Sequence, residues 1–167
     1  FQSLARRLGV SDDTHVVVVP AGVSSTDFGS AARAYWTFKV FGHNNVSILD
    51  GGFAAWRDYA PGNIETGTFV APEPGNFIAK FNPEFYVGTS DVAAFATNPG
   101  QALLVDGRTD EQFYAGGKHP KAVRAGRIPS AVLMDQDKAY LPESNRLKSR
   151  DELASIYSDL GDKTIVS

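Results

Sequence analysis

Leu4-Ala5-Arg6-Arg7-Leu8-Gly9, with Asp12, Asp13 and the run His15-Val16-Val17-Val18-Val19 behind it, is echoed late in the chain by Leu153-Ala154-Ser155, Leu160-Gly161-Asp162-Lys163 and Thr164-Ile165-Val166-Ser167. Each phrase reads as a helix closed by glycine and then a short buried strand. Glycine accepts the left-handed backbone that ends a helix, and β-branched runs favour extended chain. The two Leu-Gly anchors lie roughly 150 residues apart, the size of one domain plus a linker. The chain therefore reads as one period of a tandem repeat cut out of phase. The strand-to-helix loop expected after Ser167 is the kind of loop on which α/β proteins place ligands and chemistry.

Between these phrases the pattern alternates. After Val16-Val17-Val18-Val19 comes a turn-forming loop, Pro20-Ala21-Gly22-Val23-Ser24-Ser25-Thr26, whose hydroxyls suit helix capping. Phe28, Ala31, Ala32, Tyr35, Trp36, Phe38 and Val40 recur at helical spacing, and Gly42 with Asn44-Asn45 stops that helix. Val46-Ser47-Ile48-Leu49 is a strand, turned by Asp50-Gly51-Gly52 into a helix through Phe53, Ala54, Ala55 and Trp56. Alternating strands and helices imply a parallel sheet with right-handed crossovers. Residues 60–76 are crowded with proline and glycine and read as an extended linker. Phe77-Ile78-Ala79-Lys80-Phe81 alternates like an edge strand. A helix from Asp91 to Ala96, capped by Thr89 or Ser90, is stopped by Asn98-Pro99-Gly100. Ala102-Leu103-Leu104-Val105-Asp106 is a central strand, and a short helix spans Asp110 to Tyr114. Ile128 to Met134 enters another strand, and a long polar loop leads to a last helix at Lys148 through Leu160. Tyr35, Trp36, Phe38, Phe41, Phe53 and Trp56 are expected in the core.

At 167 residues, 43% hydrophobic and 21% charged, the composition is that of a globular protein. A net charge of -3 with no basic run gives no electrostatic reason to expect nucleic acid or an anionic membrane surface. No apolar stretch approaches the roughly 18 residues that span a bilayer. With no cysteine, these 167 residues hold no disulfide, thiolate metal site or cysteine nucleophile. His15, His43 and His119 are scattered without ligand spacing, so no metal site is expected.

Two stretches can carry chemistry. Asp106-Gly107-Arg108 puts opposite charges where a buried strand leaves the sheet; these either organise an adjacent active-site loop or form a structural ion pair, and residue physics alone favours the pair. In Val123-Arg124-Ala125-Gly126-Arg127-Ile128-Pro129-Ser130-Ala131 the glycine and proline fix a turn. Its two arginines are able to hold an anionic substrate, although the turn alone accounts for the segment. Leu49-Asp50-Gly51-Gly52-Phe53 lacks the wider glycine pattern and lysine of phosphate-cradling loops and reads as a tight turn.

Taken together the chain resembles the tandem-domain rhodanese sulfurtransferases. Ala31-Ala32-Arg33-Ala34-Tyr35-Trp36, Phe41-Gly42-His43 and Val46 to Trp56 resemble the end of that family's first domain. Leu104-Val105-Asp106-Gly107-Arg108 with Glu111-Gln112-Phe113 resembles the early strand of the second, and residues 124–131 resemble its Gly-His-Ile-Pro-Gly-Ala. Residues 153–167 resemble the helix and strand leading into its catalytic loop.

The resemblance implies an α/β, rhodanese-like three-layer fold with a parallel central sheet, in parts of two tandem domains joined by a Pro/Gly-rich linker. On this reading residues 1–59 are the C-terminal half of a first, non-catalytic domain, 60–76 the linker, and 77–167 the N-terminal part of the second, ending before the catalytic loop. The implied activity is transfer of a sulfane sulfur from thiosulfate to a thiophilic acceptor, cyanide or a thiol, through a persulfide on a cysteine just beyond Ser167. The chain alone is then expected to be inactive. Asp106, Arg108 and Arg127 become substrate-binding or supporting residues, with no metal and no cofactor. Arg127 stands in place of the family's usual histidine, Ser130 in place of its glycine, and Gln112 where some thiosulfate and mercaptopyruvate enzymes carry an arginine. The expected partners are a small-molecule sulfur donor, its acceptor and a complementary fragment of the same protein, because each half would leave sheet edges open. The alternative is a non-catalytic rhodanese-like binding module; a phosphatase-like relative would need a longer catalytic loop.

Overall fold

The computed structural model describes residues 1–98, 100, 102–114, 116–161 and 165–166, the side chain of Val166 excepted. The helix stop expected at Pro99 and the strand ends expected at Thr164 and Ser167 lie outside the described residues. The chain forms two compact units, one of Phe1–Tyr86 with Pro142–Arg146 and one of Val87–Leu141 with Leu147–Ser167.

In the first unit, helix α1 (Gln2–Arg7) runs to Gly9, whose φ of 80° lets the chain reverse, and leads to strand β1 (Val16–Val18). Helix α2 (Ser25–Val40) crosses over to β2 (Val46–Ile48), which pairs parallel with β1 in the register Val16 to Val46. Helix α3 (Gly52–Tyr59) follows. The turn into α3 needs glycine at position 52: with φ at 60°, a Cβ there would run into the Pro20 carbonyl oxygen. The loop between β1 and α2 is closed by Asp27, whose carboxylate accepts the amides of Gly22 at 2.7 Å and Ala21 at 3.1 Å. The Gly22 bond chiefly holds the Asp27 carboxyl below its usual range. Ser24 caps α2 by accepting the Asp27 amide at 3.2 Å.

Ala5, Val10 and Phe77 form the buried centre of this unit, with Val16, Phe38, Phe41 and Ala79 packed on it. His43 is buried beside them, its Nε2 2.9 Å from the Thr14 carbonyl and its ring edge-on to Phe77. Residues 77–81 are not the expected edge strand. They are extended, but their amides bond outside any ladder: Phe77 to the Val10 carbonyl at 3.1 Å and Lys80 to the Phe41 carbonyl at 3.0 Å. Alternation in the sequence thus reflects one side chain buried in this core rather than strand pairing. The aromatic set also divides. Phe38 and Phe41 pack inward, whereas Trp36, Phe53 and Trp56 are exposed. Each indole has a polar N–H that finds a carbonyl near the surface, Trp36 to Phe85 at 2.7 Å and Trp56 to Asn63 at 3.2 Å.

In the second unit, helix α4 (Thr89–Thr97) is capped at Gly88 rather than at Thr89 or Ser90, because the Asp91 carboxylate reaches back to the Gly88 amide at 2.8 Å. Strand β3 (Leu103–Asp106) is followed by helix α5 (Asp110–Tyr114) and strand β4 (Val132–Leu133). The stretch expected as a long polar loop contains the short strands β5 (Tyr140–Leu141) and β6 (Arg146–Leu147), and the chain passes between the two units at both of them. Helix α6 (Arg150–Ile156) is shorter than expected and opens on a capping box between Ser149 and Glu152; a 3-10 turn at Ser158–Leu160 follows. Strand β7 (Ile165–Val166) completes a parallel three-stranded sheet in the order β4-β3-β7, with Leu103 opposite Ile165 and Val105 opposite Val132. β3 is therefore the central strand, and Leu104 on it is 4% exposed.

Phe77 is 1% exposed and joins a segment without secondary structure to α1 and the loop after it. Phe77→Ala should lower the unfolding free energy of the chain by about 3–5 kcal/mol, the usual cost of emptying an aromatic site in a core. Urea denaturation followed by tryptophan fluorescence measures it, and a loss below about 1 kcal/mol would show that residues 77–81 are peripheral.

Candidate functional site at the end of the central strand

β3 ends on Asp106, and the chain turns through Gly107 into Arg108. A two-residue separation brings the arginine back over the carboxylate with little chain to order. Asp106 Oδ1 accepts Arg108 Nε at 2.9 Å and the Arg108 amide at 3.1 Å, and Oδ2 accepts Arg108 Nη2 at 2.7 Å. The pair is forked and partly shielded, with the aspartate side chain 12% and the arginine side chain 39% exposed. Arg108's side-chain hydrogen bond is the main reason the Asp106 carboxyl sits below its ordinary range, against the opposing effect of burial. The same bond holds Arg108 more firmly in its charged form.

Arg108 Nη2 also donates to the Gly126 carbonyl at 2.8 Å, which ties the strand end to the turn at residues 124–131. That turn is held from its other side by Arg127. Its Nη1 donates to the Phe113 carbonyl at 3.3 Å, and its guanidinium lies 4.9 Å from the centre of the Phe113 ring. Phe113 is itself buried, so Arg127 is anchored on the core of α5. The backbone of the strand end is fixed too, the Asp106 carbonyl accepting Met134 N–H at 2.9 Å. Strand end and turn enclose an open cleft of about 820 Å³ at the C-terminal end of β3, walled by Val87, Val92, Ile128 and Pro129 and carrying Asp106, Arg108, Arg124 and Arg127.

No protein-family model matches the chain. The 3-mercaptopyruvate sulfurtransferase of Escherichia coli K12 is 37% identical over 171 residues, covering 99% of the chain and 57% of that protein. The thiosulfate sulfurtransferase of Gallus gallus is 33% identical over 164 residues, covering 95% of the chain and 53% of that protein. The crystal structure of SseA from Escherichia coli, which has the rhodanese fold, matches with a TM-score of 0.75 at 33% identity, over 98% of the chain and 59% of SseA. Over nearly its whole length the chain is similar to these sulfurtransferases, and it has the rhodanese fold of SseA. It spans a little over half the length of these relatives.

Within this rhodanese fold, Asp106, Arg108 and Arg127 stand together around one cleft, each bonded to protein. Arg124 lines the same cleft and makes no hydrogen bond or ion pair among the described residues. The turn pattern offers both arginines, and the resemblance singles out Arg127; in the structure Arg127 is stacked on Phe113 and bonded to its carbonyl, whereas Arg124 is not. Gln112, on α5, is absent from the described residues that line the cleft. Ser130 has a φ of 65°, a conformation that glycine adopts without strain.

The lowered carboxyl of Asp106 stabilises the folded state at pH values above the ordinary carboxylate value of 3.8 and ceases to do so as pH falls through its lower folded value. Asp106→Asn should therefore lower stability at neutral pH, by about 1–2 kcal/mol for loss of a charge-assisted pair at a half-open site. It should also flatten the acid limb of the stability profile below 3.8. Urea titrations from neutral to acid pH check both, and parallel wild-type and variant curves would show that the pair contributes no such pH dependence.

Proposed function

We propose that the protein to which this chain belongs moves a sulfane sulfur from thiosulfate to a thiophilic acceptor, cyanide or a thiol. In this reading the chain comprises parts of two tandem repeats, the first non-catalytic, and the nucleophile is a cysteine on the loop that follows β7. Its thiolate attacks the outer sulfur of thiosulfate, the S–S bond of the donor breaks, and sulfite leaves with the bonding pair. Cyanide then takes the outer sulfur of the persulfide as thiocyanate and returns the thiolate.

The observation that carries this reading is the cleft at the C-terminal end of β3, cationic through Arg124, in a chain similar to sulfurtransferases. β7 runs parallel to β3 with Val166 opposite Leu104, so a continuation of that strand runs toward the level of Asp106. Loops at the carboxyl ends of parallel strands are the usual seat of α/β chemistry. Positive charge beside such a loop favours a thiolate over a thiol and receives an anionic donor. Asp106 and Arg108 act here by positioning the turn, because their charges are already joined to each other.

Full-length protein assayed for thiocyanate formation from thiosulfate and cyanide should turn over. Replacing the first cysteine after Ser167 by serine should reduce turnover at least about a thousandfold, as loss of a covalent nucleophile does. Protein mass after thiosulfate alone should rise by one sulfur atom in the wild type and stay constant in the serine variant. Turnover that survives the substitution would sink the persulfide route.

A further inference from the structure

Three arginines line the cleft among the described residues, and they are in different states. Arg108 is forked onto Asp106 and bonded to the Gly126 carbonyl. Arg127 is stacked on Phe113 and bonded to its carbonyl. Arg124 has no protein partner among the described residues. The rest of the lining is largely apolar, including Val87, Val92, Ile128 and Pro129. An anion entering such a cleft loses water on the apolar walls and needs a charged donor in exchange. Asp106 adds no net repulsion, since Arg108 neutralises it at 2.7 Å.

We infer that Arg124 is the residue that sets donor specificity, pairing its guanidinium with the oxyanion group of the donor at the end remote from the transferred sulfur. This rests on the sulfurtransferase reading above and adds to it a residue and a role. The planar fork of a guanidinium suits both a carboxylate and a sulfonate-type group through two parallel N–H···O bonds. Because Arg124 opens the turn that Arg108 and Arg127 fix at Gly126 and Arg127, its backbone is held in place while its side chain stays available. Two of the cleft's arginines thus build the site and the third binds in it.

Arg124 is exposed and bonded to nothing described, so its replacement leaves the fold intact; thermal melts of the variants verify that. In full-length protein, Arg124→Gln should raise KM for the donor roughly ten- to a hundredfold while kcat changes little, the size expected for loss of a bidentate charged contact. Arg124→Lys should recover part of that loss. Thiosulfate and 3-mercaptopyruvate, assayed side by side, report whether the sulfonate-type or the carboxylate end is the partner. Binding of sulfate and of pyruvate, read from the backbone amide resonances of Gly107, Ala125 and Gly126, which line the cleft in wild type and variant alike, needs no turnover. Anion-induced shifts with weaker affinity in Arg124→Gln support the assignment even if the wild type transfers no sulfur, in which case only the reaction assigned above falls. Equal anion affinity in wild type and Arg124→Gln, or no binding of either anion by the wild type, overturns the role of Arg124 whether or not sulfur is transferred.

Discussion

The bond between Arg108 and the Gly126 carbonyl is the contact on which the cleft's shape depends. Without it, the turn at residues 124–131 would be joined to β3, among the described residues, through β4, whose pairing with β3 covers Val105 and Asp106. Asp106 makes that bond possible. By taking two nitrogens of the guanidinium and the Arg108 amide, it fixes the side chain in one rotamer, so that the nitrogen pointing to Gly126 is presented rather than searched for. A carboxylate two residues back along the chain costs little entropy to recruit, and the ordering cost of the arginine is shared between two acceptors.

The two units treat their strand-to-helix loops differently. After β1 the loop bends back on Asp27, and the amides of Ala21 and Gly22 are already bonded to that carboxylate. The Ser24 hydroxyl takes the Asp27 amide as well. These donors at the start of α2 are satisfied from within, and the charge that would attract an external anion meets an internal one. In the second unit the charges at the end of β3 leave a guanidinium over. An internal carboxylate closes one loop, and an uncommitted cation opens the other cleft toward ligands of negative charge.

Much of this was legible in local sequence because local physics decides it. Gly9 and Gly42 stop helices by adopting positive φ, the valine run at 16–19 extends, and α5 spans Asp110–Tyr114 as its pattern indicates. Asp106 and Arg108 are close enough in sequence that their pairing at a strand end follows from spacing. What escaped the sequence is what distant partners determine. Residues 77–81 alternate like a strand, yet their amides find carbonyls of Val10 and Phe41 in loops that no pattern links to them. Trp36 and Trp56 recur at core spacing, but their N–H groups draw them to surface carbonyls. Ser130 in the left-handed region is a residue type at odds with its backbone, and the strain becomes visible only once φ is known.

The separation of Arg124 from Arg127 follows the same logic, and the specificity inferred above rests on it. Both sit in one turn, three residues apart, with identical chemistry. Phe113, fourteen positions before Arg127, offers its ring face and carbonyl to one of them only. Once Arg127 is stacked there, the turn is fixed at both shoulders, since Gly126 beside it is held by Arg108. The remaining arginine then projects from a rigid mount, and a rigid mount is what lets one charged contact discriminate between ligands of similar size. An arginine placed on a loose loop would follow any anion; in the role inferred for it here, Arg124 would set a distance between the donor's charged end and the end of β3. On the role inferred for Arg124, the selectivity of the cleft would be a property of the Asp106–Arg108–Gly126 bridge as much as of that guanidinium.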